Sequence, residues 1–269
     1  MPEGDTIHRV AASLRRSLGD RPLTRIELPR VPRPHPTPGS RIQQVEARGK
    51  HLLLHLDGGS ILHTHLRMSG SWHLYRPGQR WGRARAAARV VLATDDAVAV
   101  CFLAPIVELL DAQALRRHPS LRALGPDLCD PAADLDEAVH RLAALRVPPP
   151  TIGEVLLDQR VACGVGNVYR CDVLFLHGLD PATPIQDISA RRLRALLADA
   201  GELLRANVTT VERTTAPQAG PGALWVHGRG GAPCRRCATP IEVSRLGEQA
   251  RHVYRCPRCQ PSRACDGDS

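Results

Sequence analysis

Four cysteines near the C-terminal end carry the most specific chemical pattern in the chain: Cys234-x2-Cys237 and, 18 residues later, Cys256-x2-Cys259. Each knuckle puts two sulfurs on one turn, and four thiolates complete the tetrahedron that zinc prefers. Four protein ligands leave no open coordination position, so the expected cofactor is one structural Zn2+. Four buried thiols without metal fit this spacing less well. Residues 241–246 and 251–255 read as strands with Gly247-Glu248 at the turn, so the metal would clamp a β-hairpin. Arg229, Arg235, Arg236, Arg245, Arg251, Arg255 and Arg258 crowd this segment and point to phosphate contact. Cys101, Cys129, Cys163, Cys171 and Cys265 are scattered, and read as core thiols or tail chemistry.

A second candidate opens the chain, Met1-Pro2-Glu3-Gly4-Asp5-Thr6. Trimming of Met1 would leave Pro2 with a free secondary amine. A model α-amino group titrates near about 8, against about 10.4 for lysine, so more of it is unprotonated and nucleophilic at neutral pH. A prolyl amine is somewhat more basic and needs help from its surroundings. Many chains start Met-Pro, so residue 2 alone identifies nothing. Ile7, Val10, Ala11, Leu14 and Leu18 fall on helical spacing, with Asp5 or Thr6 able to cap. The positive end of that helix would face Pro2 and favour its neutral form.

The elements that must hold these residues divide into two styles. Short β-like runs occupy 23–28, 42–47, 51–56, 60–66, 72–75, 89–93 and 97–103, punctuated by Gly and Pro, which suggests a sandwich or barrel-like sheet. Residues 109–117 read as a helix leading out of it. Arg146-Val147-Pro148-Pro149-Pro150 reads as a linker. Beyond it, 152–159, 167–176 and 190–206 read as helices, and 209–222 as a long mobile loop. Cys163-Gly164-Val165-Gly166-Asn167 makes a tight turn into the second of these helices, whose exposed N–H groups favour anions.

Bulk properties narrow the class. The 269 residues allow two domains, and a net charge of +9 with a pI near 9.5 suits a polyanionic partner. Lys50 is the single lysine among 36 basic residues. Lysine is a compact, flexible point charge that arginine does not replace in a tight site. A GC-rich genome would account for the Arg-rich bias itself. No run is long and apolar enough to cross a bilayer, and no secretion signal is evident.

Four segments, in order, resemble one family: Pro2-Glu3-Gly4, Arg48-Gly49-Lys50-His51-Leu52-Leu53, Asp158-Gln159…Gly164-Val165-Gly166-Asn167-Val168-Tyr169, and the four-cysteine finger. The chain resembles the formamidopyrimidine-DNA glycosylase / endonuclease VIII family of base-excision repair, and its Pro-Glu-Gly opening is closer to the endonuclease VIII branch. The resemblance implies an α+β fold. Residues 1–125 would form an N-terminal β-sandwich catalytic domain with a first helix, and 126–225 a helix–two-turn–helix DNA-binding domain. A C-terminal β-hairpin zinc finger would occupy 226–262, and 263–269 a tail.

The resemblance also assigns roles. Pro2 would attack C1′ of the damaged nucleotide, Glu3 would act as general acid and base, and Lys50 would bind phosphate beside the lesion. His65, Asn167 and Arg251 would make further phosphate contacts. Met68 would fill the gap left by the everted base, although burial in the core would equally explain a methionine there. The implied activity is DNA glycosylase and abasic-site lyase, cutting by β,δ-elimination on oxidised bases, with oxidised pyrimidines favoured. Damaged DNA is the implied partner, without membrane association, for a monomer in the bacterial cytoplasm. A non-catalytic damaged-DNA-binding zinc-finger protein is the alternative. One departure bears on specificity. Where the formamidopyrimidine branch has an Asp-Pro-Arg-Arg-Phe-like loop, this chain has Phe102-Leu103-Ala104-Pro105-Ile106-Val107, with no arginine to read the opposite base.

Overall fold

The computed structural model describes residues 2–144 and 150–262. Of the expected linker only Pro150 is described, and the tail at 263–269 lies outside the described residues, as does Cys265. The chain divides into two compact units, Met1–Ala123 and Leu124–Ser269.

In the first unit, α1 (Gly4–Leu18) buries Ile7, Ala11, Leu14 and Leu18, a stripe at the helical period. It packs on β2 (Ile42–Arg48) and β3 (His51–Leu56). With β1 (Arg25–Glu27), β4 (Ile61–His65), β5 (Ser71–Tyr75), β6 (Ala88–Ala93), β7 (Val98–Phe102) and β8 (Ile106–Leu110), these strands form two antiparallel four-stranded sheets. One runs β2-β3-β4-β8 and the other β1-β6-β7-β5. Leu52, Leu54 and Leu62 from the first sheet share a core with Val90, Leu92 and Ala99 from the second and with the α1 stripe.

The helix expected over 109–117 starts later. Leu109 and Leu110 complete β8, paired with Leu62 and Ile61 of β4. The helix α2 (Ala112–Arg117) begins after Asp111, whose carboxylate accepts the Ala114 N–H at 2.7 Å. Strand pairing overrides a locally helical pattern here, and the aspartate cap marks the switch. A short α3 (Pro119–Arg122) follows.

The second unit is helical. It contains α4 (Leu135–Ala143), which the sequence reading lacked, then α5 (Ile152–Val155), α6 (Asn167–Leu176) and α7 (Ala190–Ala206). α5 is one turn, not the eight residues expected over 152–159. A Thr151/Glu154 capping box starts it. It is followed by two turns built around Gln159, whose side-chain amide donates to the carbonyls of Leu157 and Val165, both at 3.0 Å, and accepts the Gly164 N–H at 3.0 Å. Gly164 sits at φ +106°, a conformation that side-chain-bearing residues rarely adopt. Between α7 and the finger, Asn207 bonds to both the N–H and the carbonyl of Thr214, so the segment expected as a mobile loop folds on itself. β9 (Glu242–Leu246) and β10 (Arg251–Arg255) form the hairpin, in the register Val243 opposite Tyr254. Its core residues Ile241 and Val253 pack with Cys171 and Phe175 of α6. Among the described residues no helix is long and apolar enough to cross a membrane.

Candidate active site and metal centre

In the first unit, Glu3 is the residue from which α1 starts. It is fully buried, and its carbonyl accepts the N–H groups of Thr6 at 3.0 Å and Ile7 at 3.2 Å. The N-cap is Glu3, whose side chain makes no capping bond, and Asp5 and Thr6, expected to cap, lie inside the helix. The result puts Pro2 and Glu3 at the positive pole of a 15-residue helix. A neutral amine at Pro2 is the protonation state that such a pole favours.

Lys50 lies in the turn between β2 and β3, and His65 ends the neighbouring strand, with His51 directly opposite it. The His65 ring is brought down to a pKa of about 4, first by burial and then by the positive charge of Arg67, with His63 and Lys50 adding to it. It is therefore neutral at working pH. The Arg67 N–H donates to its Nδ1 at 3.1 Å, so the remaining ring proton sits on Nε2, free in chemical terms to donate to an anion.

Met68 follows on a short excursion between β4 and β5 and is 71% exposed. Burial in the core is thereby removed as the reason for a methionine at this position. The excursion is pinned from below. Ser69 Oγ donates to the Leu103 carbonyl at 3.2 Å. A Cβ on Gly70 would lie 2.7 Å from the Leu66 carbonyl oxygen and 3.0 Å from the Ala104 Cα, so only glycine allows the approach. The arginine-free stretch at 102–107 is thus the connection from β7 to β8 against which the Met68 turn rests.

In the second unit, Asn167 is the first residue of α6, and its side-chain amide donates to the His252 carbonyl at 2.9 Å. Arg251, next to His252 on β10, is thereby tied to the glycine turn. Arg170 completes the tie. Its buried guanidinium donates to the His252 carbonyl at 2.8 Å and the Gly153 carbonyl at 3.1 Å, and also bonds the Asn167 side chain. A cavity of about 450 Å³ beside this junction is lined by Glu154, Asp158, Arg170, Glu248 and Arg251, among others.

The four finger cysteines converge, with their sulfurs all within 4.8 Å of one another. Sγ–Sγ separations are 3.9 Å for Cys234–Cys259, 3.4 Å for Cys237–Cys256 and 3.5 Å for Cys237–Cys259. A tetrahedral ion with metal–sulfur bonds of about 2.3 Å requires edges of about 3.8 Å. The Arg236 and Cys259 N–H groups donate to the Cys234 and Cys256 sulfurs at 3.4 Å. The set can hold a metal ion. Five of the seven arginines expected to face phosphate have partners within the unit, Arg251 among them through the Gln249 side chain at 2.9 Å. Arg229 bonds the Trp225 carbonyl, Arg235 the Leu224 carbonyl and Arg255 the Asp180 carboxylate, while Arg236 stacks on Phe175 at 4.6 Å.

Pro2, Glu3, Lys50, His65 and Met68 therefore belong to the first unit, and Asn167, Arg251 and the four cysteines to the second. Sequence reasoning missed Arg170, and also Asp172 and Gln260. Asp172 is fully buried and accepts the N–H groups of Trp225, Val226 and His227 at 2.9–3.0 Å, anchoring the segment that enters the finger. Gln260 accepts the Cys256 N–H at 3.0 Å and donates to the Leu179 carbonyl at 2.8 Å, anchoring its exit. A charged residue inside an apolar helix was the available signal for Arg170 and Asp172.

Comparison with known proteins gives one consistent result. The family model for the formamidopyrimidine-DNA glycosylase N-terminal domain matches residues 1–105, and that for the formamidopyrimidine-DNA glycosylase H2TH domain matches 124–218. A probable endonuclease 8 2 of Streptomyces coelicolor is 41% identical over 97% of this chain and 94% of its own length. The DNA-(apurinic or apyrimidinic site) lyase Nei2 of Mycolicibacterium smegmatis is 39% identical over 97% of this chain and 99% of its own. Lactococcus lactis formamidopyrimidine-DNA glycosylase, solved non-covalently bound to DNA containing an abasic site, superposes with a TM-score of 0.78 at 21% identity, covering 97% of this chain and 100% of that one. At that identity the superposition speaks for the fold.

Proposed function

The chain belongs to the formamidopyrimidine-DNA glycosylase / endonuclease VIII family, and from that premise we propose that it is a bifunctional DNA glycosylase and abasic-site lyase of base-excision repair, of endonuclease VIII type. The observation that carries the reading is the start of α1. A secondary amine at Pro2, once Met1 is removed, stands beside the buried Glu3 at the helix's positive pole.

The amine attacks C1′ of the damaged nucleotide, the C1′–O4′ bond breaks as the Glu3 carboxyl gives its proton to the sugar ring oxygen, and the base leaves with the electron pair of its bond to C1′. A secondary amine then gives an iminium with no N–H to lose. This cation accepts the electron pair released when a C2′ proton is removed, so the 3′ phosphate leaves by β-elimination. The 5′ phosphate follows by δ-elimination. Each bond to phosphate breaks by elimination. Lys50 and neutral His65 in the first unit, and Asn167 and Arg251 in the second, would hold backbone phosphates. Met68, exposed on a pinned turn, would occupy the space vacated by the everted base. Cys234, Cys237, Cys256 and Cys259 would hold one Zn2+, which supplies folding energy to the hairpin and no chemical step.

The arginine-free turn at 102–107 supports oxidised pyrimidines over a strict purine lesion opposite cytosine, because an Arg–base pair worth about 1–3 kcal/mol of discrimination is missing. A monomer acting on damaged DNA in the cytoplasm completes the reading. Borohydride trapping on abasic-site duplex tests it. Met-free protein should form a covalent adduct through Pro2, and Pro2→Gly should leave DNA affinity largely intact while lowering cleavage. Tight binding of damaged DNA by Met-free wild-type protein with no trapped adduct would establish the non-catalytic binding protein instead.

A further inference from the structure

The β2-β3-β4-β8 sheet has a second face, opposite the one that sends Leu52, Leu54 and Leu62 into the core. It carries a file of ionisable side chains that the proposed chemistry does not use. His63 on β4 pairs directly with Glu108 on β8, and His51 on β3 with His65 on β4. His51 Nδ1 lies 2.9 Å from His63 Nε2. His63 Nδ1 lies 2.8 Å from Glu108 Oε2, and His118 Nε2 lies 3.1 Å from the same oxygen. His51 and His63 are 7% and 1% exposed.

The ends of this file fix every proton in it. The Leu121 N–H donates to His118 Nδ1 at 3.3 Å, so neutral His118 carries its proton on Nε2 and donates it to Glu108. The Glu108 carboxyl, despite the opposing effect of partial burial, is held below its ordinary range by hydrogen bonds from His63 and His118, so it only accepts. His63 must then donate from Nδ1, and in its neutral form this leaves a lone pair on Nε2. That lone pair in turn requires His51 to donate from Nδ1 and keep its own lone pair on Nε2. Burial above all lowers the pKa of both rings, that of His51 to about 2, while Glu108 opposes the shift at His63. His65 has the opposite tautomer, set by the Arg67 N–H, and its ring meets His51 edge-on with centroids 4.5 Å apart.

His63, Glu108 and His118 also converge closely enough for a metal ion. Metal on His118 Nε2 would move its proton to Nδ1, onto the Leu121 N–H. Both ring nitrogens aimed at Glu108 carry protons in this network, so an ion there would have to displace them.

We propose that Glu108 and His63 are positioning residues for the DNA contact at His65. The carboxylate sets the tautomer of His63 and, through it, of His51, and the His51 ring so held fixes the ring of His65. The proposal rests on His65 being a phosphate contact, and its first test does not. Long-range proton–nitrogen correlation spectra of histidine-labelled protein read each tautomer directly. Expected are protons on Nδ1 of His51 and His63 and on Nε2 of His65 and His118. A His51 proton on Nε2 overturns the relay whether or not Pro2 is a nucleophile, and this measurement on the wild type decides the matter even where a variant does not fold.

For function, His63→Phe keeps a ring and removes both hydrogen bonds. Affinity for abasic-site duplex should fall about fivefold, the size of one lost hydrogen bond, while the trapping rate at saturating DNA stays as in the wild type. Glu108→Gln keeps an acceptor oxygen in place and should retain the tautomers and most of the affinity. Wild-type affinity in His63→Phe refutes the proposal. A second equivalent of bound zinc, lost in Glu108→Gln, refutes it as well.

Discussion

Acidification from pH 7 to 5.5 should weaken the first unit by an amount that its buried histidines set. In the unfolded chain each histidine titrates near about 6.5. Folded His51 is lowered to about 2, chiefly by burial and then by His65 and His63, and folded His65 to about 4. Between pH 7 and 5.5 the unfolded chain therefore takes up protons at these positions and the native unit does not. Stability is whole above the unfolded value and declines as pH falls below it. One fully neutral histidine costs about 1.3 kcal/mol over this interval by linkage. His65, nearer to solvent, contributes less after screening, so together they cost about 2 kcal/mol. Glu108, also lowered in the folded unit, acts in the same direction, but its contribution is lost only in the carboxylate range at lower pH. Urea unfolding followed by tryptophan fluorescence measures the effect. Trp72 and Trp81 lie in the first unit and Trp225 in the second, so Trp225→Phe leaves a signal from the first alone. With an m-value of about 2 kcal/mol/M the midpoint should fall by about 1 M. In His51→Leu roughly half to two-thirds of the pH response should disappear, whatever the variant's absolute stability. An unchanged midpoint, or an equal fall in His51→Leu, would refute the account of the buried file.

Neutral and charged phosphate contacts should separate in salt. His65→Ala should weaken DNA binding with the salt slope unaltered, because a neutral N–H donor releases no counterion, whereas Lys50→Ala and Arg251→Ala should each reduce the slope by about 0.9. Fluorescence anisotropy from 50 to 300 mM salt, values of about the range where such slopes are linear, reads all three. Stripping the finger with a thiol reagent and chelator should release one zinc per chain and abolish DNA binding, with the urea transition of Trp72 and Trp81 unmoved, and metal analysis with the same fluorescence assay checks both halves. Asp172→Asn should destabilise the second unit by roughly 2–4 kcal/mol, because one oxygen of a carboxylate that accepts three backbone N–H groups becomes a donor. Hydrogen exchange at 225–227 should rise with it, and protection equal to the wild type would count against the anchoring role.

What was legible in the sequence was local. The α1 stripe, the two Cys-x2-Cys knuckles and the turn at 164–167 each depend on residues a few positions apart, and each formed where its spacing required. Element ends failed where a distant partner decided them. Leu109 and Leu110 suit a helix until β4 offers its edge. Residues 156–159 suit one until Gln159 turns inward to satisfy the backbone around Gly164. The candidate site divides in the same way. Pro2, Glu3 and Lys50 are marked by residue type and motif, but nothing near Glu108 in the sequence links it to a histidine 45 positions away. Only the register of β4 against β8 creates that pair, and only a single backbone N–H at Leu121 gives the file its direction. A resemblance that transfers residues one at a time therefore recovers the groups proposed to touch DNA, and passes over those proposed to decide which proton each group presents to it.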